Sequence, residues 1–433
     1  MSRNDRFIKI GLVIARILFG ITFLFSGFVK AVDPLGFAYK IEDYLISFHL
    51  TQFIPLALTV AVVLIILEFL LGIFILLGLF RKWSTSLAVL FMLVMTPMTL
   101  YIALENPVAD CGCFGDALVI SNWATFYKNI VLISLALFLF VYRNNIRPSF
   151  SSKTKNIVLW FLLLFSILFC LYNILYLPIM DFRPYRVGVN IPEQMEVDLN
   201  NGDVYENIYI YEKDGVEKEF TEETFPWEDS TWTFVDLNSK LIKEAEQSVI
   251  EEFHIVAYNK DSTGMFVKAD DITHQVLSEH ITLLVVSLSL DDANESAMKQ
   301  ITTMADYAAA NNIKMQIVTS SQAVAVEQWS EKLGNPNLNF AGMDELTLKT
   351  IVRSNPGLLL LNKGTIEAKW SSRNLPKAQE LDRLLVKIQL KKNGVPHNNS
   401  SGRLFILCIL FVLPLLGIKW YDRRDARKQT RKL

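Results

Sequence analysis

Hydrophobic residues crowd into long blocks near both ends of this chain and thin out in the middle, where apolar and polar positions alternate over short stretches. Five blocks are long enough to cross the hydrocarbon core of a bilayer, which takes roughly 20 helical residues. They run Ile10–Ala31, Ile54–Phe80, Ser84–Leu104, Trp123–Val141 and Ile157–Leu177. A sixth, Leu404–Ile418, is shorter, and Lys419, Trp420 and Tyr421 extend it by snorkelling and interfacial anchoring. The first block lacks a small-residue cleavage site and another span follows it closely, so it reads as a retained helix. The pattern predicts an antiparallel four-helix membrane bundle over 1–143 and a basic linker with a fifth span over 144–178. A sixth span and a basic tail fill 393–433.

The central region divides in two. Residues 179–250 predict a small β-containing segment, with strands Val204–Glu212 and Trp232–Asp236 and turn signals at 200–203 and 213–215. Residues 251–392 alternate more regularly. Strands are expected at Phe253–Asn259, His280–Leu290 and Lys314–Thr319, and helices at Asn294–Asn311 and Ala323–Leu333. A hairpin, Leu358–Asn362 and Thr365–Trp370 joined at Lys363-Gly364, precedes a helix at Lys377–Lys391. That order predicts an α/β sandwich of thioredoxin type.

Composition matters here through its distribution. The chain has 433 residues, 52% of them hydrophobic, and its net charge of −2 conceals a strong asymmetry. Lys and Arg cluster before the first span, at Arg81 and Lys82, in the 142–156 linker and in the tail. The 105–122 loop has none, and 178–402 holds 21 Lys and Arg against 34 Asp and Glu. The positive-inside rule then places both termini in the cytoplasm, and the loop and central region outside. The expected setting is a bacterial inner membrane with the large domain periplasmic and the lipid bilayer as its first partner. Nothing points to nucleic acid.

Of four cysteines, Cys170 and Cys408 fall within spans and read as packing residues. Cys111 and Cys113 occupy a polar loop in an oxidising compartment, with Gly112 between them to permit a tight ring. They are the candidate redox pair, and the plainer reading is a structural staple. Asp110 and Asp116 flank them and disfavour thiolate, whereas a helix starting near Ser121 or Asn122 favours it. No His neighbours the pair, so zinc is not expected. Two ionisable residues lie deep in spans, Arg16 and Glu68. Similar depths suggest an Arg–Glu pair locking the bundle, or else a polar site for a quinone headgroup or a proton path. Lys30 and Lys128, nearer the boundary, are expected to snorkel.

Span one, from Arg16 to Lys30, and span two, with Glu68 ahead of Gly72 and Leu77-Gly78-Leu79-Phe80, resemble the opening helices of DoxX-family membrane proteins. The loop Asp110–Asp116, followed by Ser121-Asn122-Trp123, resembles the MauE-like, methylamine-utilisation branch. Residues 354–364, from Ser354-Asn355-Pro356 to Gly364, look like the cis-proline strand and hairpin of thioredoxin-like domains. One departure is plain: Ser289–Asn294 stands where a thioredoxin carries its paired cysteines. The whole is similar to multi-domain DoxX-family proteins of Bacteroidetes-type bacteria. The resemblance supplies the architecture more than the activity; the residues themselves suggest extracytoplasmic thiol–disulfide chemistry at Cys111 and Cys113, quinone-linked through a site at Arg16 and Glu68. The outer domain would then bind exported, cysteine-containing clients. The alternative is a non-enzymatic scaffold for envelope proteins with the pair as staple.

Overall fold

The computed structural model describes residues 3–108, 110–196, 204–213, 215–221, 224, 229, 231–243, 250, 252–262, 264–390 and 400–430. Six of its helices are long and apolar enough to cross a membrane, so the chain is a multi-pass membrane protein. They are α1 (Arg3–Val32), α3 (Ala57–Leu77), α4 (Arg81–Glu105), α5 (Asn122–Val141), α6 (Lys155–Leu175) and α13 (Ser400–Thr430). Between the first two lies α2 (Pro34–Ser47), an additional helix that the hydropathy pattern does not announce. Asp33 caps it, its carboxylate accepting from the Gly36 amide at 2.9 Å, and Pro34 supplies a preset first residue.

Helices α1 and α3 cross closely because glycines face the contact. A Cβ on Gly72 would lie 2.5 Å from the Leu24 amide nitrogen, and one on Gly27 would lie 2.6 Å from that of Phe69. Small residues let membrane helices approach to backbone contact, where dispersion and buried polar pairs hold them. The core of the four-helix bundle fills with Phe19, Phe23, Leu71, Ile75, Met92, Leu132 and Leu139. Helix α6 packs alongside through Val158, Leu162 and Phe169. The α13 span buries nothing of its most apolar stretch within the chain.

The central region holds two sheets. β1 (Val204–Lys213), β2 (Val216–Phe220) and β3 (Thr233–Lys243) form an antiparallel sheet in the order β2-β1-β3. The hairpin signal at 213–215 joins β1 to β2, while the one at 200–203 lies outside the described residues. The second sheet has seven strands in the order β10-β9-β6-β7-β8-β4-β5. These are β4 (Val256–Lys260), β5 (Phe266–Asp271), β6 (Thr282–Ser287), β7 (Lys314–Thr319), β8 (Phe340–Gly342), β9 (Gly357–Asn362) and β10 (Thr365–Ser371). β6 and β7 pair in parallel, β9 is antiparallel to β6, and β10 is antiparallel to β9. That is the thioredoxin arrangement expected from the sequence. Helices α9 (Glu295–Ala310), α10 (Ala323–Leu333) and α12 (Ala378–Leu390) cover one face. The other is covered by α7 (Ile191–Met195), α8 (Thr273–Ser278) and α11 (Glu345–Ile351). Leu283 and Val285 point to the first core, Leu284 and Val286 to the second, as the two-residue period of a doubly buried strand requires.

The segment entering this domain from α6 is pinned by charge. Asp181 accepts from Arg183 at 2.8 Å and from Lys369 on β10 at 3.1 Å, and both cationic side chains are only 3% exposed. Burial alone would raise the Asp181 carboxyl, yet the two cations hold it well below the usual carboxylate range.

Two outcomes follow from this packing. Gly72→Leu drives a side chain into the α1–α3 contact and costs about 1–3 kcal/mol. Thermal unfolding in detergent reads the loss, and Gly417→Leu, with nothing within 4 Å, leaves Tm unchanged. Asp181→Asn leaves two buried cations facing a neutral amide and costs about 3–5 kcal/mol near neutral pH. Because the native carboxyl sits below its unfolded value, its stabilisation is present above about pH 4 and is lost as pH falls through the native value. The Tm difference between Asp181→Asn and the parent chain therefore narrows on acidification.

Candidate functional site

Cys111 and Cys113 are joined as a disulfide at the α2 end of the bundle. Gly112 between them has φ +65°, a left-handed conformation that glycine adopts without a Cβ penalty. The loop is held from several directions. The Tyr44 hydroxyl on α2 donates to the Cys111 carbonyl at 2.8 Å. Burial, then Asp110 and Asp43, pushes the Tyr44 phenol well up, so it stays a donor. Asp110 accepts from the Gly112 amide at 2.7 Å and pairs with Lys40 of α2 at 2.7 Å. Asp116 lies 3.6 Å from Arg353 of the thioredoxin-like domain. The acidic flanks that the sequence sets against thiolate formation are thus each matched by a cation. Ser121 caps α5 through the Ala124 amide, as expected.

Beneath the loop the structure corrects the expected charge pairing. Arg16 does not meet Glu68. It donates to the carbonyls of Ile75 and Leu76 at 3.0 and 2.7 Å. Gly78 ends α3 in a left-handed turn, and the last carbonyls of a helix need donors from outside it. The partner of Glu68 is Lys30, which the sequence places nearer the membrane boundary. Its ammonium bonds both carboxylate oxygens, at 2.8 and 2.9 Å, with the side chains 3% and 5% exposed. Lys128 reaches toward the loop end of α5, its ammonium 4.4 Å from the Phe114 ring centre. The Ser26 hydroxyl sits 2.7 Å from Glu68 and 2.7 Å from the Cys113 carbonyl oxygen. Ser26 and Lys30 fall on one face of α1 by their four-residue spacing, with Gly27 beside them, a signal present in the sequence.

A cavity of about 250 Å³ opens beside the disulfide. Cys111, Cys113, Lys30, Glu68, Tyr44 and Phe91 line its inner end. Its rim includes Phe48 and Val60, 40% and 41% exposed, so it opens on the lipid-facing flank between α2 and α3. Phe23 borders the adjoining space, whereas Phe25, Tyr101 and Trp123 are exposed. Phe28 stacks on Phe169 instead. Cys170 is buried against α1 and α3 residues, and Cys408 is exposed on α13, so neither meets the pair. Among the described residues no cluster of His, Cys, Asp and Glu suits a metal.

The thioredoxin-like domain docks on this end of the bundle. Arg353 bonds Asp33, the α2 cap, at 2.9 and 3.1 Å, while Lys349 lies 4.8 Å from the Tyr39 ring centre. Two residues beyond Arg353 is the cis peptide Asn355–Pro356. At the corner where paired thiols would stand, Asn355 donates to the Ser289 carbonyl at 2.7 Å and accepts from Ser287 at 2.8 Å. The domain has no thiol of its own among the described residues.

Lys40→Met leaves Asp110 unpaired beside the redox loop. Once the disulfide is reduced, alkylation of its thiols at pH 7 slows about tenfold, because an unmatched carboxylate disfavours thiolate. Mass-resolved iodoacetamide labelling against time measures it.

Residues 8–142, the bundle with its disulfide loop, match the family described as Methylamine utilisation protein MauE. Residues 205–244, the three-stranded sheet, match a domain of unknown function, DUF8463. No curated protein shows detectable similarity to the chain. Among solved structures, similarity extends to a solution structure named for a thioredoxin from Neisseria meningitidis, with 16% identity over 32% of this chain and 90% of that one, TM-score 0.24. A thiol peroxidase from Chromobacterium violaceum aligns at 14% identity over 32% and 83%, TM-score 0.24. A solution structure named for a protein disulfide isomerase from Bacteroides thetaiotaomicron aligns at 10% over 35% and 89%, TM-score 0.23. The thioredoxin-like fold rests on the sheet order and not on these scores. The four-span part of the chain is similar to MauE membrane proteins.

Proposed function

We propose that this chain is a bacterial inner-membrane component of extracytoplasmic thiol–disulfide chemistry. Cys111–Cys113 takes electrons from cysteine thiols of exported proteins and passes them to a quinone. The observation that carries the reading is shared geometry: the disulfide, an ion pair and a cavity open to lipid meet at one place. The distribution of Lys and Arg along the chain supports an outward-facing disulfide with both termini cytoplasmic. An apolar cavity with a few convergent polar groups suits a flat, lipid-soluble ring carrying two oxygens. Lys30 and Glu68 stand at its inner end. Arg16, occupied at the end of α3, has no part in it.

In the reaction, a client thiolate attacks the more accessible sulfur, Cys113, and Cys111 departs as thiolate. A second client thiol resolves the mixed disulfide, leaving client oxidised and the pair reduced. Reoxidation forms the Cys111–Cys113 bond again and sends two electrons and two protons to the quinone. The thioredoxin-like domain, lacking thiols, binds clients and holds them over the loop. The scaffold alternative draws on the 6% exposure of Cys111 and the Tyr44 bond to its carbonyl, which suit a staple.

One experiment separates the two. In acid-trapped cells, the lone Cys113 thiolate of Cys111→Ser attacks disulfides already formed in exported proteins and accumulates mixed disulfides that Cys111 would otherwise resolve, and quinone depletion shifts the parent pair toward the reduced state. A pair that stays oxidised in every condition, traps nothing and is dispensable leaves only the scaffold.

A further inference from the structure

Ser26 joins the ion pair to the redox loop through a single hydroxyl. Its Oγ lies 2.7 Å from Glu68 Oε2 and 2.7 Å from the Cys113 carbonyl oxygen. A hydroxyl has one proton to donate, and an ionised carboxylate and a carbonyl are both acceptors only. Its one proton is shared between Glu68 Oε2 and the Cys113 carbonyl oxygen, so the hydroxyl couples the carboxylate to the loop. On its other side, Glu68 is within 2.9 Å of the Lys30 ammonium through both oxygens, a ready proton source.

The surroundings connect this group to the chemistry. Lys30, Glu68 and Cys113 border the 250 Å³ cavity and also a second space of about 30 Å³. The smaller one has room for about one water and reaches Lys128 and Asn129. With side chains 3% and 5% exposed, the pair borders these spaces and is shielded from bulk solvent. Ionisable groups at such depth are costly and are kept where they act.

We infer that Glu68, together with Lys30, is the proton-transfer group of the site, moving protons between the thiols of Cys111 and Cys113 and the acceptor in the cavity. The inference rests on the quinone reading given above. Oxidation of the dithiol breaks two S–H bonds and forms one S–S bond. Two electrons reduce the quinone, and two protons end on its two oxygens. Glu68 takes up one proton at a time on Oε2 and releases it to an acceptor oxygen, and Lys30 balances the carboxylate between transfers. Ser26 is a positioning residue that keeps Oε2 against the loop.

The test uses the full chain in lipid nanodiscs, dithiothreitol as the dithiol and a short-chain ubiquinone as acceptor. Glu68→Gln removes the acid, and the double variant Lys30→Met with Glu68→Met removes the pair without stranding a buried charge. Both are expected to keep a disulfide that dithiothreitol reduces as fully as in the parent chain. Quinone reduction is expected to fall about 10²–10⁴-fold. Glu68→Asp, which retains a carboxyl, is expected to recover part of the rate with a displaced pH profile. A folded double variant that reduces quinone at the parent rate overturns the proton role and leaves the quinone site standing. If the double variant does not fold, an undisplaced pH profile in Glu68→Asp overturns it. A parent chain whose pair cycles with dithiothreitol but never reduces quinone overturns both.

Discussion

The organisation of the membrane part depends on one buried ion pair, Lys30 with Glu68, at the closest approach of α1 and α3. Two charges at that depth are tolerated only when each satisfies the other and neither faces lipid. Gly27 and Gly72 make the approach possible by removing the side chains that would hold the helix backbones apart. Once the pair is closed, Ser26 is directed at the Cys113 carbonyl and the disulfide loop has a floor. Tyr44 and Lys40 of α2 then form its wall, and Asp33, the cap of α2, becomes the point that Arg353 grips. A chain of polar contacts thus runs from the interior of the bundle to the appended domain.

The disulfide is approached from two sides of different character. Toward the water side stand Lys40, Asp116 and the docked domain, a setting for polypeptide thiols. Toward the lipid lies an apolar cavity with Phe48 and Val60 at its rim. On the proposed function, separate approaches let one cysteine pair serve a protein donor and a membrane-soluble acceptor in turn. A second cysteine pair is unnecessary when both reach the same sulfur atoms.

Much of this architecture is legible in the chain, for physical reasons. Bilayer thickness forces long apolar runs, so the spans declare themselves, and the alternation of β6, β7, β9 and β10 declares the thioredoxin-type sheet. The short elements β5, β8, α8 and α11 are stabilised by their neighbours rather than by local pattern, and the sequence shows no strong signal for them. Helix α2 does carry one, Asp33 followed by Pro34, which is easily passed over in a stretch read as a connection. The pairing of Glu68 is the instructive failure. Arg16 and Lys30 lie on nearly the same face of α1, 14 residues apart, and what decides is how far α1 is shifted along α3, with Gly27 against Phe69 and Gly72 against Leu24. Arg16 points to the carbonyls left open where Gly78 stops α3, whereas Lys30 points along the glycine face. That register is encoded in Gly27 and Gly72, residues that speak about packing and not about charge.

Both ends of the thioredoxin-like domain run into spans, α6 on one side and α13 on the other. The ends of those spans away from the domain are tied together, Asp422 accepting from Thr154 at 2.7 Å and from the Ser151 amide at 3.2 Å. Doubly tethered, the domain has an effective concentration over the disulfide loop set by its two short leashes and not by diffusion. Contacts that would be too weak to hold a free protein suffice to dock it. The ion pair between Arg353 and Asp33 therefore governs how the domain is oriented, while the bilayer itself guarantees that it is there.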